Sequence, residues 1–197
     1  MMVYAILAGG KSTRMGRDKL TLTMSDGVTL TQDALRRFGG ERVVLSVNDA
    51  GRFSELPVER VADEHREIGP LGGLHAVLRA LECDAFLVAA DMPFATLAAA
   101  NRVAELSLGF DAGAIISDGG RAEPLFAYYS LRVLPLVESM IAEGVYKMGA
   151  LLRRVNLREI RREELGSLWF DSLLYNVNYP SDYAGIAGMD APRNGEG

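Results

Sequence analysis

The stretch Met2–Lys19, MVYAILAGGKSTRMGRDK, sets the fold question. Its first six residues are apolar without a break, as in a strand buried inside a parallel sheet. The segment Gly10–Ser12 has the ending of a Walker-type phosphate loop, yet G-x-x-x-x-G-K-[ST] needs a glycine where Ala5 stands. The dinucleotide pattern G-x-G-x-x-G, started at Gly9, needs glycine where Lys11 and Arg14 stand. Spacing excludes both common phosphate loops. What remains is a strand that delivers Ala8-Gly9-Gly10 and then the cations Lys11, Arg14, Arg17 and Lys19, a loop of backbone amides and positive charge.

The same grammar repeats along the chain. RVVLSVN (Arg42–Asn48), PVERVA (Pro57–Ala62), AFLVAA (Ala85–Ala90) and DAGAIIS (Asp111–Ser117) read as strands. Leu71, Leu74, Leu78 and Leu81 fall on one face of a helix that starts after Gly69-Pro70, and further helices are expected over Leu97–Leu108 and Leu131–Ala142. Strands alternating with helices predict an α/β fold, a single-domain Rossmann-like three-layer sandwich around a mainly parallel sheet. The domain is expected over residues 1–187, with 188–197, GMDAPRNGEG, as a flexible tail.

Composition narrows the partners. Against 26 acidic residues stand 21 basic ones, a net charge of −5 that repels nucleic acid backbone and anionic membrane, so a polyanion must meet a local basic patch. The single cysteine, Cys83, allows neither an internal disulfide nor a multi-cysteine zinc site, which suits a reducing compartment. The apolar start ends at Gly9 and has no basic segment before it, too short for a signal peptide or a membrane span; a cytoplasmic protein is expected.

In parallel sheets ligands gather beyond the carboxyl ends of the strands. That rule places the glycine loop, Asn48-Asp49, Asp63 and Asp91 along one edge. An aspartate just past an apolar strand is costly to bury unless it is paired or holds a metal. Asp91 reads equally well as a magnesium ligand or as the cap of the helix after Pro93.

LAGGKSTRMGRDK, GPLGGL (Gly69–Leu74), AADMPF (Ala89–Phe94) and YNVNYPSDYA (Tyr175–Ala184), in this order and separation, resemble the molybdenum cofactor guanylyltransferases. The resemblance runs from Ala5 to about Ala184 and implies a nucleotide-diphospho-sugar transferase-like fold. It implies a Mg-dependent enzyme that transfers GMP from GTP to the phosphate of molybdopterin and releases pyrophosphate. A relative that uses CTP or another phosphorylated acceptor is the alternative, and contacts with molybdenum cofactor synthesis or target enzymes come with the family. By the same resemblance Leu7, Ala8, Gly9 and Gly10 cradle the nucleotide, and Arg14 and Lys19 face the triphosphate. Asn48 and Asp63 contact the nucleoside, and Asp91 holds magnesium with Asn178 as a second ligand. Asn176 and Arg121 reach toward the acceptor. Guanylyl members carry A-G-G after the first strand and cytidylyl relatives A-A-G, so Gly9 is the discriminating position.

Other features read plainly. His65 and His75 are too few and too weakly placed for a metal pair, with His75 at the edge of the Leu71 helix. Cys83 closes that helix as core or inert surface. Tyr128, Tyr129 and Trp169 are more simply buried aromatics than pterin contacts. Glu143–Ser172 follows no placed pattern and is expected to shape the acceptor pocket or a partner surface.

Overall fold

In the computed structural model, which describes residues 1–9, 20, 27–65 and 67–177, strand β1 (Met2–Leu7) is buried on both faces. Val3, Ala5 and Leu7 enter one hydrophobic core while Tyr4 and Ile6 enter another, the two-residue period of a central strand. The other strands are β2 (Val43–Val47), β3 (Glu59–Ala62), β4 (Asp84–Ala89), β5 (Ala112–Ile116), β6 (Ala122–Tyr129) and β7 (Leu157–Ile160). They form one seven-stranded sheet in the order β3-β2-β1-β4-β6-β5-β7. Every neighbouring pair is parallel except those of β6, which runs antiparallel to both β4 and β5.

Helices α1 (Leu30–Arg37) and α3 (Leu97–Leu106) cover the Tyr4 face, and α2 (Pro70–Leu81), α4 (Leu134–Ala142) and α5 (Met148–Leu152) cover the Val3 face. This is the three-layer α/β sandwich expected. Thr29 and Gln32 start α1 with a reciprocal capping box. In α2, Pro70 occupies the first turn, where its missing N–H costs nothing. Leu71, Leu74 and Leu78 are fully buried there, each contributing about 2 kcal/mol by removal from water. Leu74→Ala would cost ~2–5 kcal/mol through the cavity it leaves.

Two expectations change at Pro135 and at the far edge. The helix read over Leu131–Ala142 is a 3-10 turn at Leu131–Val133 followed by α4, because Pro135 fits a first turn and not a helix interior. The segment Glu143–Ser172 holds α5, the edge strand β7 and a 3-10 segment at Arg162–Leu168.

Register positions the site. Leu7 lies beside Ser46 on β2 and Ala89 on β4, and Val47 beside Ala62 on β3, so four strands end level on one edge. Antiparallel pairing sets Val88 against Phe126, so the start of β6 lies at that same edge.

Candidate active site

The ladder continues one step past the strands before the chain turns away. Ala8 N–H donates to Ser46 O at 2.9 Å, Asp63 N–H to Val47 O at 2.8 Å and Ala90 N–H to Leu7 O at 3.1 Å. Gly9, Asn48, Asp63 and Asp91 are thereby held by rigid backbone at the first positions free of the sheet.

Gly9 sits against Asn48. A Cβ built on Gly9 would lie 2.8 Å from Asn48 Oδ1 and 3.7 Å from Asp63 Oδ2. A methyl group there would push the Asn48 amide aside, so the bare Cα of Gly9 lets Asn48 keep its present position. The Asn48 oxygen accepts a hydrogen bond from Arg52 Nη1 at 3.4 Å. Gly73 in the first turns of α2 allows a similar approach, since its Cβ would lie 2.6 Å from Ser46 Oγ and 3.0 Å from Leu7 Cδ2. Burial pushes the Asp63 carboxyl up to about 6, against the pull of Ser46 Oγ, which donates to Asp63 Oδ1 at 3.4 Å. Ser46 was signalled by its own oddity, a hydroxyl fully buried within the apolar strand VVLSV.

Asp91 is half-buried in the turn after β4. The cap of α3 is Thr96, whose side chain accepts from Ala99 N–H at 3.2 Å, so the helix-cap reading of Asp91 fails. The late motif comes to it instead. Val177, fully buried, donates its N–H to Asp91 O at 2.9 Å, and the Tyr175 and Phe94 rings meet with centroids 6.2 Å apart. Asn176 follows the same turn and donates Nδ2–H to Leu174 O at 3.3 Å. AADMPF and YNV, more than 80 residues apart in sequence, form one corner.

Glu123, near the start of β6, is a residue that sequence reasoning passed over. Burial holds its carboxyl above the usual range; a bond from Leu125 N–H at 3.0 Å and the Arg121 charge oppose that, and the Asp91 charge adds to it. Glu123, Asp91 and Arg121 thus share one electrostatic neighbourhood. Arg121 itself is exposed at the strand's entry.

Gly10, Lys11, Arg14, Arg17, Lys19 and Asn178 lie outside the described residues. Leu20, described between Lys19 and α1, is 5% exposed, and its carbonyl accepts from Thr31 Oγ1 at 3.1 Å. The aromatic residues are accounted for by packing. Tyr128 and Tyr129 are buried, donating to Asp84 Oδ2 at 2.7 Å and Pro124 O at 2.9 Å, and Trp169 packs against the Tyr4-side core. The two histidines differ from expectation. His75 is 1% exposed rather than at an edge, and its ring stands 4.9 Å from that of His65.

Comparison with known proteins decides the family. The model of the MobA-like NTP transferase domain matches residues 4–160. The chain belongs to the MobA-like NTP transferases. A probable molybdenum cofactor guanylyltransferase of Carboxydothermus hydrogenoformans is 31% identical over 186 residues, covering 92% of this chain and 93% of that one. One of Mycobacterium marinum is 33% identical over 184 residues, covering 90% and 89%. The crystal structure of molybdopterin-guanine dinucleotide biosynthesis protein A from Archaeoglobus fulgidus superposes with a TM-score of 0.84 at 27% identity, covering 96% of this chain and all of that one. The 2-C-methyl-D-erythritol 4-phosphate cytidylyltransferase of Thermus thermophilus, at 12% identity and a TM-score of 0.65 over 94% and 98% of the two chains, shares the fold alone. The MobA-like chain is therefore of a nucleotidyltransferase family, with the fold that its motifs implied. No helix among its described residues is long and apolar enough to cross a membrane.

Proposed function

We propose that this MobA-like transferase moves GMP from GTP to the phosphate of molybdopterin, releasing pyrophosphate and leaving a guanine dinucleotide cofactor. The observation that supports it most is the meeting, at one strand edge, of the Gly9, Asn48 and Asp63 cluster with the Asp91, Glu123 and Asn176 corner. A nucleoside triphosphate laid across that edge puts its nucleoside on the first set and its phosphates toward the second. Asp63 and Asn48 offer acceptors to nucleoside N–H and hydroxyl donors, and Gly9 keeps Asn48 in place.

The acceptor needs little activation. A phosphate monoester has its second pKa near ~6 and arrives at neutral pH as a dianion, so no general base is required. An acceptor phosphate oxygen bonds to the α-phosphorus of GTP as the bond to pyrophosphate breaks in line. The protein's share is placement of two groups that repel each other and relief of the charge on the leaving group. Lys19 and Arg14 are assigned to that charge, and Arg121 and Asn176 to the acceptor.

The carboxylates at the corner fit a hard cation. Asp91 and Glu123 offer carboxylate oxygens in one electrostatic neighbourhood, with Glu123's proton affinity raised by burial and by its neighbour's charge, the condition that a divalent ion relieves. Magnesium held by Asp91, with Asn178 as a second ligand, would supply charge neutralisation at the phosphates.

The test is the mass of the pterin product. Purified protein is incubated with magnesium, molybdopterin and each of the four nucleoside triphosphates in turn. A product heavier by GMP, formed with GTP alone, is expected; an adduct with another nucleotide, or none, overturns the assignment.

A further inference from the structure

Asp63 is followed immediately by Glu64 and His65, and this short connection is pressed onto α2. A Cβ on Gly72 would lie 2.9 Å from the His65 carbonyl oxygen. His75 rises one helical turn later on that side of α2, and its ring meets His65 at 63° between planes. One ligand atom from each of Glu64, His65 and His75 lies within 4.8 Å of the other two. His75 is 1% exposed, and its Nδ1 has no hydrogen-bond partner among the described residues. A buried imidazole nitrogen without a partner is costly and calls for a ligand.

We propose that Glu64, His65 and His75 form a binding site for a borderline divalent transition metal, with zinc as the best fit, separate from the position at Asp91. Two imidazoles and one carboxylate make a donor set that zinc accepts and that magnesium, which takes oxygen and water, does not favour. Glu138 on α4 has its Oε1 3.7 Å from His75 Nε2 and stands as an orienting partner of that ring. Arg79 now spans the two carboxylates, 3.6 Å from Glu64 and 3.5 Å from Glu138. It is more than half exposed and free to swing out when a cation replaces it. A metal here ties the connection carrying Asp63 to α2 and fixes the nucleoside side of the edge from behind.

The site is tested by calorimetric titration of the metal-free full chain with zinc chloride, and by its melting temperature with and without zinc. One zinc per chain is expected, with a Tm rise of about 5–10 °C at a hundredfold excess over Kd. His65→Ala, at an exposed position that tolerates truncation, should weaken binding at least ~100-fold, beyond what loss of an outer partner costs. His75→Gln is the second variant. Arg79→Met should bind at least as tightly as the wild type, and magnesium should not compete. Asp91→Asn should bind zinc normally, which keeps the outcome separate from that of the transfer reaction. Absence of saturable zinc binding, or unchanged binding by His65→Ala, overturns the site; so does loss of binding in Asp91→Asn.

Discussion

The two halves of the sheet bring residues to the same edge by opposite routes. In the parallel half, β1, β2, β3 and β4 finish there, so each polar residue follows an apolar run: Gly9 after Leu7-Ala8, Asn48 after Val47, Asp63 after Ala62, Asp91 after Ala90. In the other half β6 starts there, so Arg121 and Glu123 precede their apolar run. The rule that ligands lie beyond strand carboxyl ends reads the first half and is blind to the second. One reversed strand is enough to hide Glu123 from that rule.

The sharpest break of this comparison is at Asp91, where both halves converge. Asp91→Ala should lower transfer by ~10³-fold or more with an unchanged circular dichroism spectrum, the scale expected when charge stabilisation at the reacting phosphates is lost. Asp91→Asn should fail similarly, since Thr96 already caps α3. An active Asp91→Asn enzyme with normal magnesium dependence would put Asp91 among the structural turn residues. Lys19→Ala comes next, with a loss of roughly 10²-fold in turnover at saturating GTP and little change in stability. Near-normal turnover in that variant removes the lysine from the mechanism.

Much of the parallel half was legible because physics leaves it few choices. Short valine- and isoleucine-rich runs alternating with helical patterns read as strands covered by helices on both faces of a mainly parallel sheet, and the leucines of α2 declare their face by spacing. The unread parts each mix signals. β6, AEPLFAYY, contains Pro124 and carries a partly buried acid at its second position; β7, LREI, is an edge strand whose charges Arg158 and Glu159 suppress the apolar pattern. The capping box of α1 was present as Thr29 and Gln32 but precedes a helix of only eight residues. The meeting of His65 with His75 depends on a tight turn over Gly69 and Pro70 and the close approach at Gly72, which no spacing rule reports.

Smaller effects separate the halves. Glu123→Gln should lower kcat about 10-fold, below the ~10²-fold or more that loss of a group contacting the reacting atoms costs, and shift the acid limb of the pH profile. A profile identical to the wild type would confine Glu123 to β6 stability. Asp63→Asn acts on the parallel half alone, raising KM for GTP ~10-fold at neutral pH. In the wild type that KM should rise as pH falls through about 6, where Asp63 takes up its proton.

Stability moves the other way. The folded Asp63 carboxyl binds its proton more tightly than in the unfolded chain, where its pKa is 3.8, so its ionisation costs stability as pH rises from about 4 to about 6 and beyond. Asp63→Asn removes that cost and should raise Tm at pH 8 by about 2–4 °C, a figure discounted for the part of the group open to water. Equal melting of the two proteins at pH 8 would show that its burial carries no penalty.

The proposed guanylyl transfer is tested most directly by kcat/KM for GTP against CTP, measured as pyrophosphate release with molybdopterin, in the wild type and in Gly9→Ala. Polar groups set to meet guanine are left unpaired by cytosine, so the wild type should prefer GTP by ~10²-fold or more. In Gly9→Ala the added methyl displaces Asn48, 2.8 Å away, and that preference should collapse through loss of GTP use. Equal use of CTP by the wild type, or an undiminished preference in Gly9→Ala, would contradict it.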